Sequence, residues 1–144
     1  MSSQAMDNKD IVRQYLNAFN EQNRDTLMEI LADDVVEHGV HGEHHGPEEV
    51  IDLHESHFET FPDYTGSTEM MIGEDDKVVV RYTASGKHTE KFENVEPTGQ
   101  EVEWSGIVIY RIEDDKIAEI WIEENRLSLL EQLEAVDPPA HLRI

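Results

Sequence analysis

The chain contains no cysteine, only 11 lysines and arginines among 144 residues, and no apolar run of membrane-spanning length. Each shortage excludes something. Without cysteine there are no disulfides, no thiolate metal ligands and no thiol nucleophile. Without a basic stripe nothing neutralises phosphates, so nucleic acid is not an expected partner. A membrane helix needs about 20 consecutive apolar residues, and no run approaches that length here. The segment Met1–Asp10 is polar and does not read as a signal peptide, so a cytoplasmic protein with no membrane partner is expected. Phosphate-binding glycine loops, dinucleotide fingerprints and a serine nucleophile elbow are missing as well. The length suits one domain over residues 1–144, with a core at about 8–135 and tails at 1–7 and 136–144.

What abounds is acid. Thirty-three aspartates and glutamates give a formal charge of -22, spread over the whole chain rather than gathered in a tail. Disorder is a poor account of it, because apolar periodicity persists throughout. Two readings remain: a surface adapted to molar salt, or a site for a cationic partner. The even spread favours the first.

Taken in order, Asp7–Glu21 is expected to be a helix, with Val12, Tyr15, Leu16 and Phe19 on one face. A shorter helix over Asn23–Leu31 and a strand over Val35–His38 follow. Next comes HGVHGEHHG, His38–Gly46, where glycines alternate with histidines and a loop is expected. Pro47 opens a third helix whose stripe of Val50, Leu53, His54, His57, Phe58 and Phe61 carries two histidines on a largely apolar face. His54 and His57 have helical ligand spacing, and His38, His41, His44 or His45 could complete a metal set. The loop spacing fits no established zinc pattern, however. The cluster is read as solvated loop residues plus two histidines lining a pocket, and no metal is expected.

Three strands are expected at Tyr64–Glu74, Lys77–Thr89 and Gln100–Glu113, and a fourth opens at Lys116. GEDDKV and IEDDKI repeat one hairpin device, so neighbouring strands should form an antiparallel meander. Gly86 and Gly106 should mark bends or bulges. On the strand KIAEIWIEEN, Glu119, Trp121, Glu123 and Asn125 share one face, and Ile120, Ile122 and Glu124 share the other. A tryptophan between glutamates suits the wall of a partly polar pocket. The plain alternative is an edge strand with its acids in water and Trp121 as a lid on the core.

The pattern W-x-x-x-N-x-L-S-L-L-x-Q-L from Trp121, together with FPDYTG, DKVVVRYTASGKH and EPTG upstream, resembles the SnoaL-like polyketide cyclases, or ester cyclases. The resemblance covers most of residues 8–135. It implies an α+β fold, cystatin-like or nuclear transport factor two-like. N-terminal helices would pack on a strongly curved, mainly antiparallel sheet around a conical pocket, as in ketosteroid isomerase and scytalone dehydratase. It also implies cofactor-independent acid/base chemistry on a small hydrophobic carbonyl compound, by aldol-type cyclisation or isomerisation. No cofactor is expected.

One departure matters. Asn125 stands where the family carries its acid/base aspartate, and an amide cannot take up that proton. Glu123, two residues earlier on the same face, is therefore the expected base. His88, His54 or His57 would assist, and Asn125 would orient a carbonyl or a water. Tyr15, His54, His57, Trp104, Trp121 and Glu119 are expected to contact the substrate. A non-catalytic binding module of the same fold and an epoxide hydrolase-like enzyme are the alternatives. The isoleucine-bearing strand faces suggest a homodimer through the sheet.

The dispersed charge generates a test. Salt screening shortens the reach of self-repulsion to about 3 Å at 1 M. The melting temperature should therefore rise between low and molar potassium chloride. A flat or falling curve would contradict the salt-adapted reading.

Overall fold

The acidic pairs legible as turns do close hairpins. In the computed structural model, Asp75, Asp114 and Asp115 take positive φ of 54°, 52° and 61°, a region that aspartate enters more readily than most residues. The structure describes residues 2–92 and 94–133, with side chains from Asp7 onward. The segment Asp137-Pro138-Pro139 and the tail expected at 136–144 lie outside the described residues.

Among the described residues four helices and six strands follow in the order α1 (Ser2–Asn20), α2 (Arg24–Ile30), β1 (Leu31–Gly39), β2 (Gly42–His45), α3 (Pro47–Thr60), β3 (Thr65–Glu74), β4 (Lys77–Lys87), β5 (Glu101–Glu113), β6 (Lys116–Glu124) and α4 (Arg126–Gln132). The Asn23 side chain caps α2 by accepting from the Thr26 amide at 3.2 Å, and Pro47 opens α3. The stretch expected to be a histidine loop instead contains β2. Val36 pairs with His45 and Gly39 with Gly42, so the glycines close a hairpin.

The sheet order is β2-β1-β6-β5-β4-β3. The expected meander of β3 to β6 is present, and β1 joins β6 in parallel, His38 opposite Trp121. The result is an α+β fold with a curled, mostly antiparallel sheet. Register shifts fall at Thr68/Met70 and Arg111/Ile112, whereas β4 and β5 stay in register through Gly86 and Gly106. The two glycines serve close approach rather than bulging. A Cβ at Gly86 would stand 2.7 Å from the Phe61 Cβ, and one at Gly106 would stand 2.6 Å from the Tyr82 hydroxyl.

Cross-strand rows define the two faces of the sheet. Val78, Tyr110, Ile120 and Glu37 form one inner row, and Tyr82, Gly106 and Glu124 form another. Helices α1 and α3 cover this inner face, burying Val12, Tyr15, Val50 and Ile51 against it in the main core. A second core gathers Phe61, Ala84, Val102, Trp104, Leu129 and Leu133 where α4 packs near β5. The outer face carries the row Ile72, Val79, Ile109, Trp121 and His38. No described helix is long and apolar enough to cross a membrane.

Candidate functional site: a cone with two buried carboxylates

Between the inner face and helices α1 and α3 lies a cavity of about 340 Å³. Its walls are apolar and phenolic: Leu16, Phe19, Val80, Val108, Ile120 and Ile122, with Tyr15, Tyr64, Tyr82 and Tyr110. Burial raises the pKa of all four tyrosines, so each stays a neutral hydroxyl near neutral pH. The polar groups gather in two clusters.

The first is built on β1 and α3. Glu37 is wholly buried, and its Oε1 accepts from His54 Nε2 at 2.7 Å. His54 Nδ1 lies 3.3 Å from the Tyr15 hydroxyl. One turn on, His57 Nδ1 lies 3.3 Å from the carbonyl of His54. A carbonyl only accepts, so this contact puts the proton of neutral His57 on Nδ1 and leaves Nε2 unprotonated. Burial, reinforced by His54, lowers the His57 pKa below its ordinary 6.5, while Glu124 pulls the other way.

Glu124 centres the second cluster. Its Oε1 accepts from Tyr82 at 2.7 Å and from Trp104 Nε1 at 3.0 Å, and its Oε2 accepts from Arg126 Nε at 2.9 Å. Burial alone would raise its pKa. The Tyr82 hydrogen bond, the charges of Arg126 and His57, and the Trp104 hydrogen bond outweigh that and hold it below the usual carboxylate range. The bond from Tyr82 crosses over Gly106, whose missing side chain clears the way.

The expected site residues divide sharply. Tyr15, His54 and His57 line the cavity. Trp104 lies in the second core and reaches the site through its bond to Glu124 and its ring contact with Tyr64, 5.9 Å between centres. Glu119, Trp121 and Glu123 do not face the cone. The strand parity was sound, but the isoleucine face turns inward: Ile120 is fully buried and Ile122 packs partly buried against the main core, while Trp121 keeps partial exposure on the other face. Glu123 is exposed. Trp121 stacks on His38 at 5.5 Å, and Glu119 bonds His38 at 2.6 Å and Arg111 at 3.2 Å. These bonds, that from His38 foremost, hold the Glu119 carboxyl below its ordinary range.

Asn125 is an exposed cap of α4, accepting from the Ser128 amide at 3.1 Å. His88 is buried outside the cone against Phe61. Its Nδ1 accepts from the Thr98 amide at 3.2 Å, and its backbone bonds Gln100 and Gly99, so it pins the loop after β4. The remaining histidines are dispersed. His41 and His44 line the cavity and His45 meets Glu43, and no group of three or more metal-ligating side chains gathers among the described residues.

Sequence reading missed Glu37, Tyr64, Tyr82, Tyr110, Arg126 and the centrality of Glu124. For both carboxylates a signal existed. Glu37 alternates with Val35 on one strand face, and Glu124 alternates with Ile120 and Ile122.

An apolar cone closed by helices on a curled sheet defines a small-molecule site. The family pattern of the SnoaL-like polyketide cyclases matches residues 9–133. The chain belongs to that family. Among solved structures it is similar to AclR, a candidate hydroxylase from Streptomyces galilaeus, at 26% identity and TM-score 0.83, covering 96% of this chain and 92% of that one. IdmH, a candidate polyketide cyclase from Streptomyces antibioticus, matches at 26% identity and TM-score 0.78, over 88% and 98% of the two chains. A SnoaL-like protein from Jannaschia sp. CCS1 shares the fold at 22% identity and TM-score 0.84, over 93% and 95%. A search of curated proteins gives no match.

The donors around Glu124 make stability depend on pH. Its pKa is lower folded than unfolded, so its contribution is complete above the ordinary value of 4.5 and is lost as pH falls through the folded value. Glu124→Gln should flatten that acid limb in denaturant unfolding. At neutral pH it should remove roughly 1–3 kcal/mol, since charge-assisted bonds are lost. An unchanged acid limb would show that the network does not hold the carboxylate ionised.

Proposed function

We propose that this protein is an enzyme catalysing cofactor-independent acid/base chemistry, an aldol-type cyclisation or an isomerisation, on a small hydrophobic carbonyl compound held in the cone. The observation that carries the reading is His57, a cavity-lining imidazole with Nδ1 bound to a backbone carbonyl, a lowered pKa, and a buried carboxylate, Glu124, acting on it. His57 Nε2 takes a proton from an activated carbon next to the carbonyl. Glu124 stabilises the imidazolium that forms. The enolate then attacks a second carbonyl or is reprotonated at another carbon, and His57 returns the proton. Phenol hydroxyls along the walls are suitable donors to the enolate oxygen.

This moves the base from Glu123 to His57 and makes Asn125 a helix cap. A second reading has its own support. With Glu123 exposed and the family aspartate replaced by a capping amide, a binding module that kept the cone and lost the chemistry would show ligand affinity without turnover.

Deuterium exchange at the activated methylene of 2-tetralone, followed by NMR, tests the base. His57→Gln should slow exchange by about a hundredfold or more. In the wild type the rate should climb with pH through a midpoint below 6.5 and level off by neutrality, because only neutral His57 accepts the proton. No exchange above background with ligand bound favours the binding module. Exchange untouched by the substitution rules out His57.

We also propose a homodimer through the outer face of the sheet. Met70, Ile72 and Ile107 stand there at 53%, 53% and 45% exposure, beside Val79 and Ile109. Charges of both signs flank them, Arg81 beside Ile107 and Glu123 on one side, Lys77, Arg111 and Glu119 on the other. A twofold axis can match such a pattern against itself. Sedimentation at high salt should give twice the chain mass, and Ile107→Asp should give the single chain. A monomeric wild type at micromolar concentration would refute it.

A further inference from the structure

Glu37 has a feature that the proposed chemistry does not use. It sits inside the sheet in a row with Ile120, Tyr110 and Val78, and it is 0% exposed. Oε1 is answered by His54, but Oε2 has no hydrogen-bond partner among the described residues. Leaving a buried polar atom unanswered costs its full desolvation, and more when it carries charge. Native structures seldom tolerate it without a ligand, a water or a functional reason. Glu124, in the same cavity, shows the contrast, with both oxygens satisfied by three donors. Glu37 also lines the cone, so whatever fills the cone is placed to supply the missing donor.

We propose that Glu37 Oε2 is the acceptor for a hydrogen-bond donor on the ligand. The site then selects neutral apolar compounds that carry an O–H or N–H, an enol, phenol or amide, at the end nearest β1. The walls at that end, Tyr110, Ile120 and Val108, suit a flat apolar body. An anionic group there would meet a carboxylate in a low-dielectric cavity and is rejected. Glu37 is thus a specificity-determining residue, and its bond to His54 fixes the carboxyl so that the second oxygen keeps its place. This inference rests on the cone being a ligand site and is independent of His57 being the base.

The test is a binding titration near neutral pH in high salt, using 2-naphthol, 2-methoxynaphthalene and 2-naphthoate. These probes share a ring and differ in having a donor, no donor, or a charge. Wild type should bind 2-naphthol roughly ten- to a hundredfold more tightly than the methyl ether, as a hydrogen bond to a charged group implies. The naphthoate should bind most weakly. Glu37→Gln puts an amide in the acceptor's place and should remove the naphthol preference, while Glu123→Gln, exposed and outside the cone, should retain it. Equal affinity of naphthol and ether for the wild type, the result expected if a fixed water already answers Glu37, overturns the proposal. So does a preference that survives Glu37→Gln. If that variant does not fold, the comparison of probes on the wild type still decides. Failure of all three probes to bind would also remove the cone as a site for such rings, whereas a normal preference in a protein that exchanges no protons would spare this inference and sink the base assignment.

Discussion

A carboxylate inside an apolar cone must be answered by donors, and the ends of several elements meet in answering Glu124. Tyr82 reaches it from β4, Trp104 from β5 and Arg126 from the first position of α4. Arg126 also lies over Phe92, 5.1 Å from its ring centre, which ties the loop before β5 to the same point. The dependence runs through Gly106. Any side chain there would strike the Tyr82 hydroxyl and the Glu123 carbonyl, at 2.6 and 2.8 Å. Removing the network would leave a buried charge, which costs more than the bonds themselves contribute. Sheet, loop and last helix are therefore coupled through one ionised group.

The two buried carboxylates solve the same problem differently. Glu124 is saturated and held ionised, which suits a fixed counter-charge better than a group that exchanges protons. A carboxylate with three donors is a poor base, because accepting a proton means breaking what holds it. His57 is the opposite case. Its Nδ1 is committed and burial disfavours its charge, but Glu124 softens that penalty when the proton arrives. Groups of opposed tendency placed together are how a site keeps a base neutral and still lets it charge.

Much of the fold was legible because it is local. The α3 start at Pro47, the Asp turns and the strands they join follow from short-range chemistry, and the family pattern supplied the curled sheet. The site was legible only in part. Tyr15, His54 and His57 could be placed because helical spacing sets their side chains on an apolar stripe. On β6, alternation separates two faces but does not say which is inside, and a tryptophan drew attention to the wrong one. The parallel contact of β1 with β6 brings His38 to Trp121 and Glu37 to Ile120 across more than eighty residues, and no local pattern announces it. Without that contact the alternation of Glu37 with Val35 puts the acid on an apolar face but does not say that the face is covered.

The exposed position of Glu123 and the capping role of Asn125 bear on how this chain departs from its family pattern. An aspartate at 125 would sit at the N-cap of α4 as readily as asparagine does, since both side chains accept from the helix amides. Asparagine and aspartate are therefore interchangeable for the cap, although only aspartate would add a titratable group there. What α4 needs from position 125 is an acceptor for Ser128, and what the cone needs from Glu124 is charge. The two demands fall on adjacent residues, Glu124 at the end of β6 and Asn125 at the cap of α4. Position 125 can thus carry either side chain without disturbing the donors that hold Glu124.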